Sequence, residues 1–341
     1  MITRIYKLII TAVLMAAIHI PGWCQNEYQT DKLIAEHKSD SKKNLKRWKK
    51  YYLSKAKLYF SDKEYEKASR IDEDLMQLNL SKKEMFTISA RLGKSFIALG
   101  KYEKAINYFN MALESGKKNP DILFELAKSY EGVDILEEAL KYYKLCVKND
   151  KHFWMAYVGL GRIYWRQGLM DMALMELGRV FDMGKANIET YNLASLVLEK
   201  LNDIPRAIEM QEKSLEIEIR PEYHSRIGYL HFTNNQYEKA ASAYKKALAI
   251  DPLDDEAVLY LGIVNFRSGN NKTAETYFNQ TIKMDRTNAV AYFFLAVISQ
   301  QKNDIKKALQ YLDKVFEYAQ SKQLVKYSEK LSKEWRAYSN R

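Results

Sequence analysis

The hydrophobic positions of this 341-residue chain fall at helical spacing and then repeat in blocks. Within a block, apolar residues recur at i, i+3, i+4 and i+7, which marks a helix with one buried face. Leu123, Leu126, Ala127 and Tyr130 make one such face; Ala139, Tyr143 and Cys146 make the next. An alanine early in every second helix keeps the register: Ala105, Ala139, Ala173, Ala207, Ala240, Ala274 and Ala308. The steps are 34 residues long except for one of 33. Ala68, Ala105 and Ala240 each close the same tetrapeptide, Tyr-Glu-Lys-Ala. A fixed period of this length predicts stacked helix pairs, because each pair can bury its apolar face only against its neighbours. Polar punctuation separates the helices. Gly100, Gly168, Asn202, Asn234-Asn235 and Gly269-Asn270-Asn271 can take the left-handed conformation that ends a helix. Asp134, Asp171, Asp203 and Asp304 stand where they could cap the second helix of a pair, and Asn119-Pro120 where a first helix would start.

One block reads Tyr157, Leu160, Gly161, Tyr164, then Ala173, Leu177, Val180. Others read Leu92, Gly93, Phe96, Ala105, Phe109, Ala112, and Tyr292, Leu295, Ala296, Ala308, Leu312, Val315. His224, Ile227, Gly228, Ala240, Tyr244 and Ala247 end in Asp251-Pro252. This pattern resembles the tetratricopeptide repeat. The resemblance implies an all-α protein, a right-handed superhelical α-solenoid of antiparallel helix pairs. Eight repeats are expected over residues 49–320, starting near 49, 86, 120, 154, 188, 221, 255 and 289. Two blocks depart from the pattern: Asp72 and Gln211 stand where an aromatic or apolar residue is usual. Beyond Ser321, Leu324, Tyr327, Leu331 and Trp335 keep helical spacing, which predicts a C-terminal capping helix over 321–341.

Composition sharpens this picture. Hydrophobic residues make up 47% and aromatics 13%, which excludes a disordered chain, and only 5 prolines and 13 glycines suit an all-helical protein. The N-terminus has the layout of an export signal. Arg4 and Lys7 precede an apolar run from Leu8 to Ile20, and Gly22-Trp23-Cys24 places small residues where a signal peptidase reads. A cleaved signal over 1–24 is expected, followed by a polar, basic extension over 25–48. The run is too short for a bilayer span of about 20 residues, so no transmembrane segment is expected after cleavage. The protein is accordingly expected in the periplasm or cell envelope of a bacterium. Loss of Cys24 would leave Cys146 without an intramolecular partner, at a position filled elsewhere by Ala112, Val180 and Ala247. It reads as a small buried hydrophobe.

No catalytic, metal-binding or cofactor-binding constellation stands out. There is no phosphate-binding glycine loop, no paired Cys-x-x-Cys and no nucleophile elbow. His224 and His231 would share a helix face but have no third ligand. The net charge of +11 favours anionic partners, and the export signal argues against nucleic acid.

In the resembled family, certain first-helix residues line the concave side, and their spacing of three and four also places them on one helix face. One such register reads Lys57, Lys94, Lys128 and Arg162, then Leu196, Tyr229, Ile263 and Val297. The register three residues on contains Trp165, Phe232 and Phe266, and the one four residues earlier contains Leu259 and Phe293. A groove is expected with a basic ladder in its first half and an apolar, aromatic second half. Leu53 and Lys57 stand where the family's chaperone-tail clamp would have lysine and asparagine, so that activity is not expected. The expected function is non-enzymatic: a protein–protein interaction scaffold holding a partner segment with acidic residues toward Lys57, Lys94, Lys128 and Arg162. An anionic glycan or lipid head group, or self-assembly into a structural scaffold, are the other readings.

Overall fold

The computed structural model describes residues 42–115 and 119–339; the expected signal and most of the basic extension lie outside them. Among the described residues there are seventeen helices and no strand. The chain forms two compact units, with the division between Ile163 and Tyr164.

The first unit contains α1 (Lys42–Ser61), α2 (Tyr65–Leu75), α3 (Lys82–Ala98), α4 (Tyr102–Glu114), α5 (Pro120–Gly132), α6 (Leu136–Asn149) and the start of α7 (Trp154–Arg166). Consecutive helices pair, and each pair packs on the next. α1 is already helical at Lys42, so Lys46, Arg47, Lys49 and Lys50 ride on the first helix. The core follows the periodic positions: Tyr52, Ile71, Leu75, Ile88, Leu92, Phe96 and Phe109 are buried in one cluster. Ala56, Ala68, Ala105 and Ala139 are fully buried, as close helix crossings demand. Small residues on first helices have an equally plain cause. A Cβ added to Gly93 would stand 2.6 Å from the Phe109 ring.

The second unit continues with α8 (Met170–Asp182), α9 (Ile188–Lys200), α10 (Ile204–Ile217), α11 (Pro221–Thr233), α12 (Tyr237–Ile250), α13 (Asp255–Arg267), α14 (Asn271–Met284), α15 (Ala289–Gln301), α16 (Ile305–Tyr318) and α17 (Lys322–Ser339). The same packing recurs: Tyr244 and Phe278 fill the space beside Gly228 and Gly262. α17 lays Trp335 against Ala308, Leu312 and Val315. No helix among the described residues is long and apolar enough to cross a membrane.

Every helix pair turns through one left-handed residue at the same register. These are Lys63, Gly100, Asp134, Gly168, Asn202, Asn235, Gly269 and Asn303, with φ between 57° and 79°. Asp134 is therefore not the cap of α6, because it fills the slot that glycine or asparagine fills elsewhere. Asp171 lies inside the first turn of α8 and does not cap it. Asp203 and Asp304 do cap α10 and α16, accepting from the amides of Arg206 and Lys307. First helices are capped by Ser81, Asn119, Asn187, Asp254 and Asn288.

The two departures from the repeat pattern are both resolved by polar partners. Asp72 is fully buried and takes a bidentate pair from Arg91, at 2.6 Å from Nε and 2.5 Å from Nη2. Burial pushes its carboxyl above the ordinary aspartate range, and the guanidinium pulls it back down. Gln211 donates to Asn192 at 2.9 Å, and Ser214 donates to the same oxygen at 3.0 Å. In each case a hydrogen-bonded pair joins two helices where an aromatic ring would otherwise fill the space.

Candidate functional site

In the first unit the basic register does not carry uniform charge. Lys57 is exposed on α1 and lines a cleft of about 310 Å³ with Lys50, Leu53, Ser54, Lys83, Glu84, Thr87 and Arg91. Lys94 is half-buried on α3 and makes no ion pair among the described residues. Lys128 on α5 stands 3.5 Å from Glu125 and 5.5 Å from the centre of the Phe124 ring. Arg162 differs. Its Nε lies 2.6 Å from Glu131 Oε1 and its Nη2 3.1 Å from Oε2, while the Tyr143 hydroxyl donates to the same carboxylate at 2.9 Å. This network neutralises Arg162 and fastens α7 to α5 and α6. Lys57 and Lys94 remain as the open cations of the register, and Lys128 shares its charge with Glu125 on its own helix. Glu84 adds an acid beside them, but it is held by Lys49 at 2.7 Å and by the Ser81 capping box. The Lys49 ammonium first, and the Ser81 bonds after it, lower the Glu84 carboxyl to about 2.

The apolar register is partly consumed by packing. Trp165, Tyr229, Phe232, Leu259, Ile263, Phe266 and Phe293 are all half-buried. Phe232 and Tyr229 pack on the cluster around Tyr244 and Leu261. Leu259, Ile263 and Phe266 pack on the cluster around Phe278 and Leu295, with the Phe266 ring 5.1 Å from Phe294. Phe293 sits 5.8 Å from Tyr327 of α17. Each presents only part of its surface to a ligand.

A second cleft, of about 660 Å³, lies wholly in the second unit between α11, α12 and α13. Tyr229, Tyr244 and Tyr260 line it together with Glu222, Asp251, Asp254, Asp255, Glu256 and Arg226. The spacing of first-helix residues identifies Tyr229 but misses its surroundings. The Asp254-Asp255-Glu256 run looks in sequence like an ordinary acidic helix start, and only the fold sets it opposite Glu222 and the tyrosines. Tyr244 is 1% exposed, and its hydroxyl has no hydrogen-bond partner. An unpartnered buried hydroxyl costs about 1–3 kcal/mol. Burial is also the main reason its proton is held far above the usual tyrosine range.

Groups capable of chemistry are quiet elsewhere. Cys146 is buried, donates toward the Pro120 carbonyl at 3.3 Å, and has its thiol pushed up to about 12 by burial; a protonated thiol is a poor nucleophile. The His231 ring nitrogen Nδ1 pairs with the Gln236 side-chain oxygen at 2.8 Å. Burial and nearby Lys246 lower the pKa of His224. No cluster of three metal-ligating side chains occurs among the described residues.

Paired helices of constant period, each pair joined by one left-handed residue, define a helical-repeat protein. Tetratricopeptide repeat models match residues 91–152 and 225–289, and also 188–218 and 289–322, together more than half of the chain. The chain belongs to the tetratricopeptide repeat family. It is 26% identical over 157 residues to tetratricopeptide repeat protein 13 of Homo sapiens, covering 44% of this chain and 18% of that one. It is 28% identical over 182 residues to a TPR repeat-containing protein of Methanocaldococcus jannaschii, covering 50% of this chain and 31% of that one. The chain thus spans well under half the length of these relatives. Among solved structures, it is similar to the C-terminal part of a TPR repeat-containing protein from Cytophaga hutchinsonii. That likeness has a TM-score of 0.60 at 18% identity and covers 71% of this chain and 98% of the other. PilW, a widely conserved type IV pilus biogenesis factor, shares the fold with a TM-score of 0.51 at 18% identity, over 62% of this chain and 99% of its own.

Proposed function

We propose that this protein is a non-enzymatic adaptor of the bacterial cell envelope that holds a segment of a partner protein on its first-helix faces. Membership of a family built for protein–protein contact supports the adaptor role. The envelope location rests on the signal-like N-terminal sequence, and it agrees with the fold shared by a pilus biogenesis factor. The observation that carries the reading is the set of lysines in one register, Lys57, Lys94 and Lys128, of which only Lys128 has a carboxylate beside it. Acidic residues of the partner lie against them, which speeds and orients association, while half-buried anchors such as Trp165 and Phe293 supply contact area.

Photocrosslinking in intact envelopes, with a probe at Trp165, tests this. A specific partner is captured, and replacing Lys57, Lys94 and Lys128 together by glutamate lowers the yield and flattens its dependence on salt. Unchanged capture and unchanged salt dependence would sink the electrostatic part. A second reading, an anionic glycan or lipid head group, draws on the cleft lined by Lys50, Lys57 and Lys83, where Arg91 is already held by Asp72. Under it, binding to anionic vesicles would be lost in a Lys50, Lys57 and Lys83 triple glutamate variant, and protein capture would not.

A further inference from the structure

The cleft of the second unit has a character opposite to the rest of the chain. The protein carries +11, yet five carboxylates line this one space and only one cation does. That cation, Arg226, is already paired with Glu199, and its guanidinium lies 5.4 Å from the centre of the Tyr229 ring. Three of the acids are engaged in holding local structure. Asp254 accepts from the Ala257 amide at 2.8 Å and from Ser225 at 3.2 Å, Asp251 from the Leu253 amide at 3.0 Å, and Asp255 from the Glu256 amide at 3.0 Å. Glu222 and Glu256 are exposed, with no ion pair and no side-chain hydrogen bond among the described residues. They are available.

An acidic rim alone would be a solvated surface. What distinguishes this one is Tyr244, which lines the same cleft and whose buried hydroxyl lacks a partner. Its ring stacks on Tyr260 at 5.6 Å, and Tyr260 meets Tyr229 edge-on at 6.1 Å. A ligand satisfying this set must donate hydrogen bonds, carry positive charge and tolerate aromatic walls. Ammonium and guanidinium groups do all three, and Arg226 already shows a guanidinium held against one of these rings. An anionic ligand would meet five carboxylates.

We propose that this cleft takes a lysine or arginine side chain from the partner protein, with Glu222 and Glu256 pairing with its charge and the Tyr244 hydroxyl accepting from its N–H groups. The inference rests on the adaptor reading and adds the partner chemistry for the second unit. A bound partner segment then carries a basic residue here, as well as the acidic residues proposed for the lysines of the first unit.

The test uses the full chain with Lys57, Lys94 and Lys128 replaced by glutamine, which removes the first-unit cations proposed for acidic residues, and three fluorescent Gly/Ser peptides, bearing two arginines, two lysines or two glutamates. The expected order is a basic peptide bound in preference to the acidic one by about tenfold or more, weakening as salt is raised. Glu222→Gln with Glu256→Gln, both at exposed positions, removes that preference. Tyr244→Phe lowers affinity for the basic peptide while leaving the thermal midpoint unchanged or raised, because it deletes an unsatisfied buried hydroxyl. A merely structural tyrosine would not separate the two readouts. Equal binding of all three peptides, no binding of any, or affinities unaffected by the glutamine variant would each overturn the inference. Self-association abolished by the same variant would assign the cleft to lysines of a second copy and overturn it too. Failure here leaves the adaptor reading standing, since that depends on crosslinked capture and on Lys57, Lys94 and Lys128.

Discussion

At the scale of single residues, the turn register shows how a repeat tolerates different side chains at a demanding position. All eight turns need positive φ. Glycine takes it without penalty, and asparagine or aspartate takes it through local hydrogen bonding, but lysine has neither advantage. Lys63 is exposed and adopts φ 64°. Lys63→Gly is expected to raise stability by about 1 kcal/mol, measured as a shift in the chemical denaturation midpoint with an unchanged slope. The left-handed slots were legible at Gly100, Gly168, Asn202, Asn235 and Gly269 because those residue types announce themselves. Asp134 misled because aspartate serves equally as a cap and as a left-handed turn, and only φ separates the two roles.

At the scale of elements, helices are joined as much by polar clasps as by apolar ridges. Asp72 on α2 and Arg91 on α3 are the most buried example, with side chains 0% and 10% exposed. Removing one member leaves an uncompensated buried charge. Asp72→Leu and Arg91→Leu are each expected to cost about 3–5 kcal/mol, whereas Asp72→Leu and Arg91→Leu together should recover most of the loss. Urea unfolding of the four proteins in one cycle gives the coupling. A second clasp joins α1 to the start of α3 through Lys49 and Glu84 and is open to titration. The Glu84 carboxyl sits at about 2 in the folded protein against an ordinary 4.5. Its contribution to stability is therefore complete above pH 4.5 and is lost as pH falls from there toward 2. The stability difference between wild type and Glu84→Gln should shrink across that window in acid titration of the thermal midpoint. The sequence showed that Asp72 and Gln211 broke the pattern, but it could not name Arg91 or Asn192. Those partners lie nineteen residues away and meet them only after packing.

At the scale of the whole molecule, charge is organised by unit rather than spread. The first unit carries the lysine register and the basic helix α1, and the second contains a carboxylate- and tyrosine-lined cleft. Total charge reported only the first of these. Apolar periodicity overstated the second unit's greasiness, because Phe232, Phe266 and Phe293 spend much of their surface on neighbouring helices. A partner suited to both units would pair acidic residues with one and a basic residue with the other, a pattern more selective than a uniformly charged groove.

The sequence by itself determined the all-helical repeat, its register, its small-residue crossings and most of its turns. All of these follow from local spacing: a helix face, a Cβ too many, a residue able to take positive φ. The tertiary structure alone decided which charges stay open. Arg162 is neutralised by Glu131, Asp72 by Arg91 and Arg226 by Glu199, while Lys94, Glu222 and Glu256 are left unpaired. Those outcomes depend on which side chains from different helices come within hydrogen-bond reach. One-dimensional spacing fixes the face a residue occupies and carries no information about what stands opposite.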